Sequence, residues 1–174
     1  MNHDERVTLH RKMAESYRDA YLRRDVQAGA EYELWTFADD AVYASPYFTG
    51  NTVLLLKEVV EGAALVATME AKAYSVNFAD WAPAEFTCWP AANGFAMRTR
   101  WQGHTRDGAL MGFYSIGFVE TNEDGQITRW ETFVNDEEYG PFLQAAIGTR
   151  GPFTSEEYVT ALTRHLGAHG LLPE

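Results

Sequence analysis

The spacing of hydrophobic residues predicts helices in the first part of the chain. Over residues 4–24, apolar side chains recur every three or four positions and charged residues fill the other face, which is typical of an amphipathic helix. A second, short helix is predicted over Ala30–Phe37. A third is predicted over Val53–Lys72, where Asn51 is the candidate N-cap and strong helix formers dominate.

A short strand separates the second helix from the third. The stretch 38–41, Ala-Asp-Asp-Ala, is predicted to end the helix, and the alternating residues Val42–Ser45 follow it. Pro46 stops the strand, because proline cannot donate a hydrogen bond to a sheet ladder. A strand that breaks off at a proline places the preceding residue, Ser45, at the rim of a sheet or the mouth of a cavity.

From Tyr74 onward the hydrophobic period changes to two, which predicts an antiparallel meander. Prolines interrupt the first run, which is therefore an edge strand or a broken one. Turn signals at 106–108 (Arg-Asp-Gly) and 122–125 (Asn-Glu-Asp-Gly) join the later runs as hairpins. The four predicted strands are 74–89, 94–105, 109–121 and 126–135.

The C-terminal part of the chain returns to a helical pattern. A helix is predicted over Asp136–Ile147 and is terminated by Gly148, and Thr154 or Ser155 caps a last helix. Helices, one early strand, a meander and a helical tail together predict an α+β fold in which a curved sheet wraps against helices. We therefore expect a single domain over 1–174, with a core over about 8–147 and a helical extension over 148–174.

Composition limits the classes of function. The chain carries 25 acidic and 14 basic residues, a net charge of −11, so it repels phosphate backbones and nucleic acid is not an expected partner. Its single cysteine excludes an internal disulfide, and its longest apolar run, Val53–Leu56, is too short to span a bilayer. A charged N-terminus indicates no signal peptide, so a cytoplasmic protein without a membrane partner is expected.

The histidines and cysteine suggest no cofactor. The chain has no cysteine–histidine cluster and no carboxylates with converging spacing, so neither a metal nor another cofactor is predicted. His3, His10, His165 and His169 are predicted to lie on the surface or in the tail. The aromatic content of 14% requires either a thick core or an aromatic-lined cavity.

Several motifs in this order resemble the NTF2-like superfamily, the cone-shaped α+β barrel of ketosteroid isomerases and SnoaL-like polyketide cyclases. They are FADDAVYASP at the first strand, Tyr17-Arg18-Asp19-Ala20 leading to Asp25, Trp101-Gln102-Gly103, and the final strand GQITRWETFVN. The resemblance implies that Tyr17 is an oxyanion donor. It also implies that Ser45 stands where isomerases carry their catalytic Asp, and that Thr132 stands where related cyclases and epoxide hydrolases carry an acid. Members usually form homodimers or higher homo-oligomers through the convex face of the sheet.

Strand alternation indicates which side chains face the pocket. On the strand 94–105, the apolar set that begins with Phe95 and Met97 is expected to look inward, and Arg98 and Arg100 outward. A shift of one residue would instead bring the arginines into the pocket, where Arg100 would bind a phenolate or carboxylate. On the last strand the resemblance gives Thr132 a cavity position, which implies that Trp130 on the same face also points inward. The expected pocket residues are Tyr17, Tyr21, Tyr43, Ser45, Phe95, Met97, Trp101, Trp130 and Thr132.

Roles follow from the chemistry of these side chains. The predicted catalytic residues are Tyr17, Tyr43 and Ser45 as hydroxyl donors and His104 as a proton shuttle, although an exposed turn histidine is an alternative interpretation. The alternative for each tyrosine is a structural role, and the alternative for Ser45 is a small residue that makes room. The predicted substrate-binding residues are Tyr21, Tyr47, Phe95, Met97, Arg100, Trp101, Trp130 and Thr132.

An aromatic, hydroxyl-bearing pocket suits a planar, hydroxylated ligand. The leading hypothesis is therefore a cofactor-independent lyase that acts on a small aromatic, hydroxylated substrate. Among relatives of this kind, γ-formaldehyde lyases release formaldehyde and water from lignin-derived diarylpropanes, and this is the specific prediction. Two alternatives stay open: a SnoaL-like polyketide cyclase, dehydratase or isomerase, and a non-catalytic NTF2-like module for ligand binding or assembly.

Overall fold

The computed structural model describes residues 1–22, 34–44, 53–55, 72–151 and 153–171. Its helices are α1 (His3–Leu22), α2 (72–77), α3 (Asp136–Ile147) and α4 (Ser155–Ala168). Its strands are β1 (Phe37–Ala44), β2 (Val53–Leu55), β3 (Ala82–Ala91), β4 (Gly94–His104), β5 (Leu110–Thr121) and β6 (Ile127–Val134).

The six strands form one sheet in the order β2-β1-β6-β5-β4-β3. β3 to β6 form the predicted antiparallel meander, and β3 lies at the edge, as its prolines indicate. β1 joins the sheet parallel to β6 and antiparallel to β2. The meander and the α+β arrangement are therefore confirmed.

Two predicted helices are partly strand. The predicted helix over Ala30–Phe37 is wrong at its end, because Phe37 begins β1 and Asp39 and Asp40 lie within that strand. The predicted helix over Val53–Lys72 is wrong at its start, because 53–55 pair with β1 as β2. Residues 30–33 and 56–71 lie outside the described residues. At both sites strand pairing overrides a local helical preference.

The first predicted strand of the meander begins too early. Residues 72–77 are helical, and β3 starts only at Ala82. Tyr74 and Phe78 are four positions apart, both are buried, and the Phe78 backbone N–H donates to the Tyr74 carbonyl at 2.8 Å. The apolar spacing in this stretch is thus helical and not alternating.

Both C-terminal helices form where the capping residues predict them. Gly148 ends α3 with a left-handed φ of 74°, which favours glycine, and its N–H donates to the Gln144 carbonyl. At the start of α4, Thr154 and Glu157 form a reciprocal capping box. Thr154 is therefore the N-cap, and not Ser155.

The core divides into two aromatic-rich clusters. The first, the α1 cluster, joins α1 to β1 and to one end of the meander, and includes Met13, Trp35, Phe95, Met97 and Trp130. The second, the α3–α4 cluster, joins α2, α3 and α4 to the other end of the meander, and includes Trp81, Trp101, Phe113, Phe142 and Leu162. Tyr17 packs against both clusters.

Three buried tyrosine hydroxyls hold the helices of the α3–α4 cluster together. The hydroxyl oxygen of Tyr74 lies 2.5 Å from that of Tyr158 and 3.3 Å from that of Tyr139. Each phenol therefore finds hydrogen-bond partners inside an apolar region, where an unpaired hydroxyl would be costly. This network docks α4 and α3 against α2.

Candidate functional site on the concave face of the sheet

The phase of β4 decides which side chains face the helices. Phe95, Met97, Thr99 and Trp101 are each at most 4% exposed, whereas Arg98 lies on the opposite, exposed face. The predicted alternation of this strand is therefore confirmed. The inward side of the sheet, against α1, is called the concave face below, and the opposite side is called the outer face.

Tyr17 lies at the centre of the aromatic side chains on the concave face. Its ring stacks on Trp35 at a centroid distance of 5.5 Å and an interplanar angle of 20°. It meets Tyr21, Trp101 and Trp130 edge-on, with centroid distances of 5.1, 6.3 and 6.2 Å. Tyr17 thus contacts three other predicted site residues, Tyr21, Trp101 and Trp130, although the four come from one helix and two different strands.

Hydrogen bonds fix two of the surrounding indoles. The Trp101 Nε1–H donates to the Ser115 hydroxyl at 2.8 Å, and the Trp35 Nε1–H donates to the Met13 carbonyl at 3.0 Å. A buried indole that has its N–H satisfied has one preferred orientation. These rings therefore form a preorganised aromatic wall.

β6 brings Trp130 and Thr132 to the same side, as alternation predicts. Thr132 pairs in register with Gly117 of β5, and Trp130 pairs with Val119. A Cβ atom at Gly117 would come within 2.8 Å of the Met97 Cε, so this glycine leaves room for the methionine. Met97 can then lie across β5 towards Trp130.

The sequence prediction missed three participants in this wall. Trp81 stacks on Trp101 with a centroid distance of 4.8 Å and an angle of 10°. Trp35 and Ser115 contact the predicted residues as described above. The sequence predicted Trp35 within a helix and Trp81 within a strand, but Trp35 precedes β1 and Trp81 precedes β3, which begins only at Ala82. The predicted elements therefore could not give the orientation of either side chain. The alternation of β5 could have identified Ser115, which shares a face with Phe113.

The chemistry of the inward side chains is that of hydroxyls and aromatic rings. In β3–β6, all of whose residues the structure describes, the inward positions include Thr99, Ser115 and Thr132 and no carboxylate or histidine. Such a surface can stack a planar ligand and donate hydrogen bonds to its oxygen atoms. The base of a proton transfer would have to come from elsewhere in the chain or from the ligand.

His10 was predicted to be a surface residue, and this is wrong. The side chain is fully buried, with Nδ1 at 2.6 Å from the Ala91 carbonyl and Nε2 at 2.9 Å from the Thr121 hydroxyl. Both ring nitrogens are thus engaged in attaching α1 to the sheet. His10 is a structural residue of the fold.

His104 lies outside the aromatic wall. Its Nδ1 is 2.6 Å from the Asp80 carboxylate, its backbone N–H donates to the same group at 2.7 Å, and both side chains are about half exposed. These hydrogen bonds hold the pKa of Asp80 below its usual range. The predicted proton shuttle is therefore in a surface pair at the end of β4, the alternative that the sequence left open.

Arg100 does not reach the concave face. Its guanidinium lies on the outer face, where it donates to the Glu138 carboxylate at 2.7 Å and covers the Tyr114 ring at 4.7 Å. Its predicted place among the substrate-binding residues required a strand phase that β4 does not have. The prediction of a pocket-facing Arg100 is therefore wrong.

Three predicted residues cannot be placed. Ser45 and Tyr47 lie outside the described residues, and for Tyr43 only the backbone is described. That backbone pairs in register with Trp130 in β6. Their catalytic and binding roles stay predictions.

The described residues hold no group of three or more His, Cys, Asp or Glu that could bind a metal ion. The prediction that the chain lacks metal-ligand spacing overlooked one pair, however. His165 in the last turn of α4 and the C-cap residue His169 are four residues apart, an HxxxH pattern, and their ring centroids lie 4.7 Å apart.

No family model matches the chain, and no curated protein matches it either. Solved structures do match. A steroid delta-isomerase from Pseudomonas aeruginosa has a TM-score of 0.52 and 13% identity, and the match covers 94% of this chain and 96% of that one. An NTF2-like protein from Burkholderia thailandensis has a TM-score of 0.52 and 13% identity, over 76% of this chain and 95% of that one.

A putative isomerase from Bacillus subtilis has a TM-score of 0.51 and 20% identity, over 85% of this chain and 96% of that one. All three matches span nearly the whole length of the other chain, so they concern the complete fold. The chain has the NTF2-like fold. The fold predicted from the sequence motifs is thereby confirmed.

Sequence identities of 13–20% to these structures establish the fold and do not identify the reaction. Among the described residues, none of the helices combines the length and the apolar content needed to cross a membrane.

Proposed function

We propose that this protein is a cofactor-independent lyase that binds a small aromatic, hydroxylated substrate on the concave face. The observation that carries the proposal is the position of Tyr17, whose ring is surrounded by Tyr21, Trp35, Trp101 and Trp130. Aromatic walls favour a planar substrate. A phenol placed among them can donate a hydrogen bond to an oxygen atom that becomes negative during the reaction.

The inward side of β3–β6 has no carboxylates, which favours a substrate whose own phenol group donates and takes back the electron pair during the reaction. A phenolic diarylpropane diol is such a substrate. Loss of the phenolic proton and the benzylic hydroxide as water gives a quinone methide. Loss of the proton of the terminal hydroxyl then breaks the carbon–carbon bond and releases formaldehyde.

The electron pair of the broken bond forms the new alkene and restores the aromatic ring. The phenolate oxygen is reprotonated, and the products are a stilbene, water and formaldehyde. Atoms and electrons balance without an oxidant or reductant. In this scheme Tyr17 stabilises the oxygen of the quinone methide and of the phenolate, and the indoles hold the two rings of the substrate.

The test is turnover of a phenolic 1,2-diarylpropane-1,3-diol, followed by formaldehyde release and by the ultraviolet absorption of the stilbene. Tyr17→Phe should lower kcat by about 10²–10³-fold, as expected for the loss of one oxyanion donor. The matched control is Tyr114→Phe, which removes a hydroxyl from the outer face, where it donates to Glu85. Equal activity of the two variants would contradict the role of Tyr17.

Two alternatives are each favoured by one observation. Solved structures of the same fold are described as isomerases, so a carbonyl isomerisation on the same wall is the first alternative. The resemblance implies that Ser45 and Thr132 replace two acids of related enzymes, and the loss of both acids favours the second alternative, a non-catalytic binding module. If the diol raises the melting temperature but no formaldehyde or stilbene is produced, the protein only binds the diol. If the protein moves the double bond of a β,γ-unsaturated ketone, it is an isomerase.

We also propose that two copies associate through the outer face of the sheet. Ile116, Phe118 and Phe133 are 39–47% exposed there, and Phe118 meets Phe133 edge-on at 5.9 Å. Charged pairs flank them, Arg98 with Glu85 on one side and Arg129 with Glu131 on the other, so the patch is self-complementary in charge. Light scattering should show a dimer, and Phe118→Glu should give a folded monomer.

A further inference from the structure

The end of α4 carries two histidines with a spacing that metal sites use. His165 and His169 are four positions apart, and residues with this spacing lie one turn apart on the same side of a helix. Their rings face each other with a centroid distance of 4.7 Å and an interplanar angle of 57°. Two histidines at this spacing are a recurrent pair of zinc ligands.

A second observation concerns the ring nitrogens of His165. Its Nε2 is buried and has no hydrogen-bond partner in the structure. An imidazole nitrogen that has no hydrogen-bond partner within the protein can present its lone pair to a metal ion.

We propose that His165 and His169 form a two-imidazole site for a divalent transition metal ion, Zn²⁺ or Cu²⁺. Two imidazole nitrogens that bind one ion at about 2.1 Å lie about 3.4 Å apart in tetrahedral geometry. The centroid distance of 4.7 Å is compatible with this separation between one nitrogen of each ring. Imidazole ligands suit Zn²⁺ and Cu²⁺, whereas Mg²⁺ and Ca²⁺ require oxygen ligands.

Among the described residues no third side chain completes the group, so the remaining positions on the ion would be taken by water. A bound ion would cross-link the last turn of α4 to the residue that follows it and so stabilise the end of this helix.

The test uses the full chain without an affinity tag, with Zn²⁺, Cu²⁺ and Mg²⁺ added as chlorides to chelator-treated protein. Calorimetry should show one site, tighter for Cu²⁺ than for Zn²⁺, and the melting temperature should rise with both ions and not with Mg²⁺. His169→Gln removes an exposed ligand and should weaken Zn²⁺ binding at least about tenfold. His3→Gln, at the start of α1, is the matched control and should bind as the unmodified protein does.

Because the Nε2 of His165 is buried, replacement of this residue can disturb folding, so a spectroscopic readout supplements it. The electron paramagnetic resonance spectrum of bound Cu²⁺ should show hyperfine coupling to two nitrogens, and to one in His169→Gln. Absence of Zn²⁺ and Cu²⁺ binding at protein concentrations near 100 µM, or equal affinity in His169→Gln and His3→Gln, would overturn the proposal.

Discussion

The two faces of β4 and β5 are built from alternate residues of the same strands, yet they are stabilised in different ways. On the concave face, Met97, Trp101 and Phe113 are at most 5% exposed, and they are held by aromatic packing. On the outer face, Arg100 and Tyr114 are stacked and tied to carboxylates. Burial therefore dominates on the concave face, and paired charges over half-exposed rings dominate on the outer face.

This difference shows why one face is the better candidate for binding a small ligand. The concave face combines fixed indoles with hydroxyls, and its polar atoms come from a few placed side chains. The outer face presents exposed apolar rings among balanced charges, which suits a second protein surface. The same alternation thus separates the face proposed for substrate binding from the face proposed for association.

The largest effect that would distinguish the two faces is on stability. Trp101→Ala removes a stacked indole that is 4% exposed and should lower the free energy of unfolding by about 3–5 kcal/mol. Trp89→Ala removes the same side chain from the outer face, where it is 53% exposed, and should cost less than about 1 kcal/mol. Denaturant unfolding at one low protein concentration measures both, and similar losses would contradict the difference in burial.

Much of the concave face could be predicted from the sequence, because in β4 and β6 the alternation of apolar residues coincides with burial. Phe95, Met97 and Trp101 were placed by this criterion alone, whereas the inward placement of Trp130 also depended on the resemblance that gives Thr132 a cavity position. The resemblance to a known fold supplied Tyr17, which alternation could not orient, because it lies on a helix.

The remaining residues depend on tertiary contacts that no local pattern encodes. Trp81 reaches Trp101 only because α2 ends at residue 77 and the chain turns close to Gly103, where a Cβ atom would come within 3.1 Å of the Trp81 Cα. His104 was assigned a catalytic role because of its residue type. Its pairing with Asp80 joins β4 to the segment after α2, and sequence spacing does not indicate that contact.

A smaller effect is expected from the partly buried ion pair on the outer face. Arg100 and Glu138 have side-chain exposures of 17% and 32%, and Glu138 also accepts from the Tyr114 backbone N–H. A double-mutant cycle with Arg100→Met and Glu138→Gln should give a coupling free energy of about 1 kcal/mol. Raising the salt concentration to 1 M should reduce it. A coupling that is absent at low salt would show that the pair does not stabilise the outer face.

The smallest effect concerns Asp80 and His104, an exposed hydrogen-bonded pair at the end of β4. The pKa of Asp80 is lowered in the folded protein, because the His104 ring and then its backbone N–H donate to the carboxylate. The pair therefore stabilises the fold above about pH 3.9, the ordinary pKa of an aspartate, and the contribution is lost as the pH falls through the lower, folded-state pKa.

Thermal unfolding between pH 5 and pH 2 should show this loss. Asp80→Asn should melt slightly below the unmodified protein at pH 5, and the difference should vanish towards pH 2, because protonation then removes the same charge. Glu123→Gln, in the exposed turn between β5 and β6, should show no such convergence. If the difference in melting temperature between Asp80→Asn and the unmodified protein instead persists undiminished at pH 2, Asp80 acts through packing or turn geometry. In that case its charge does not stabilise the exposed end of β4.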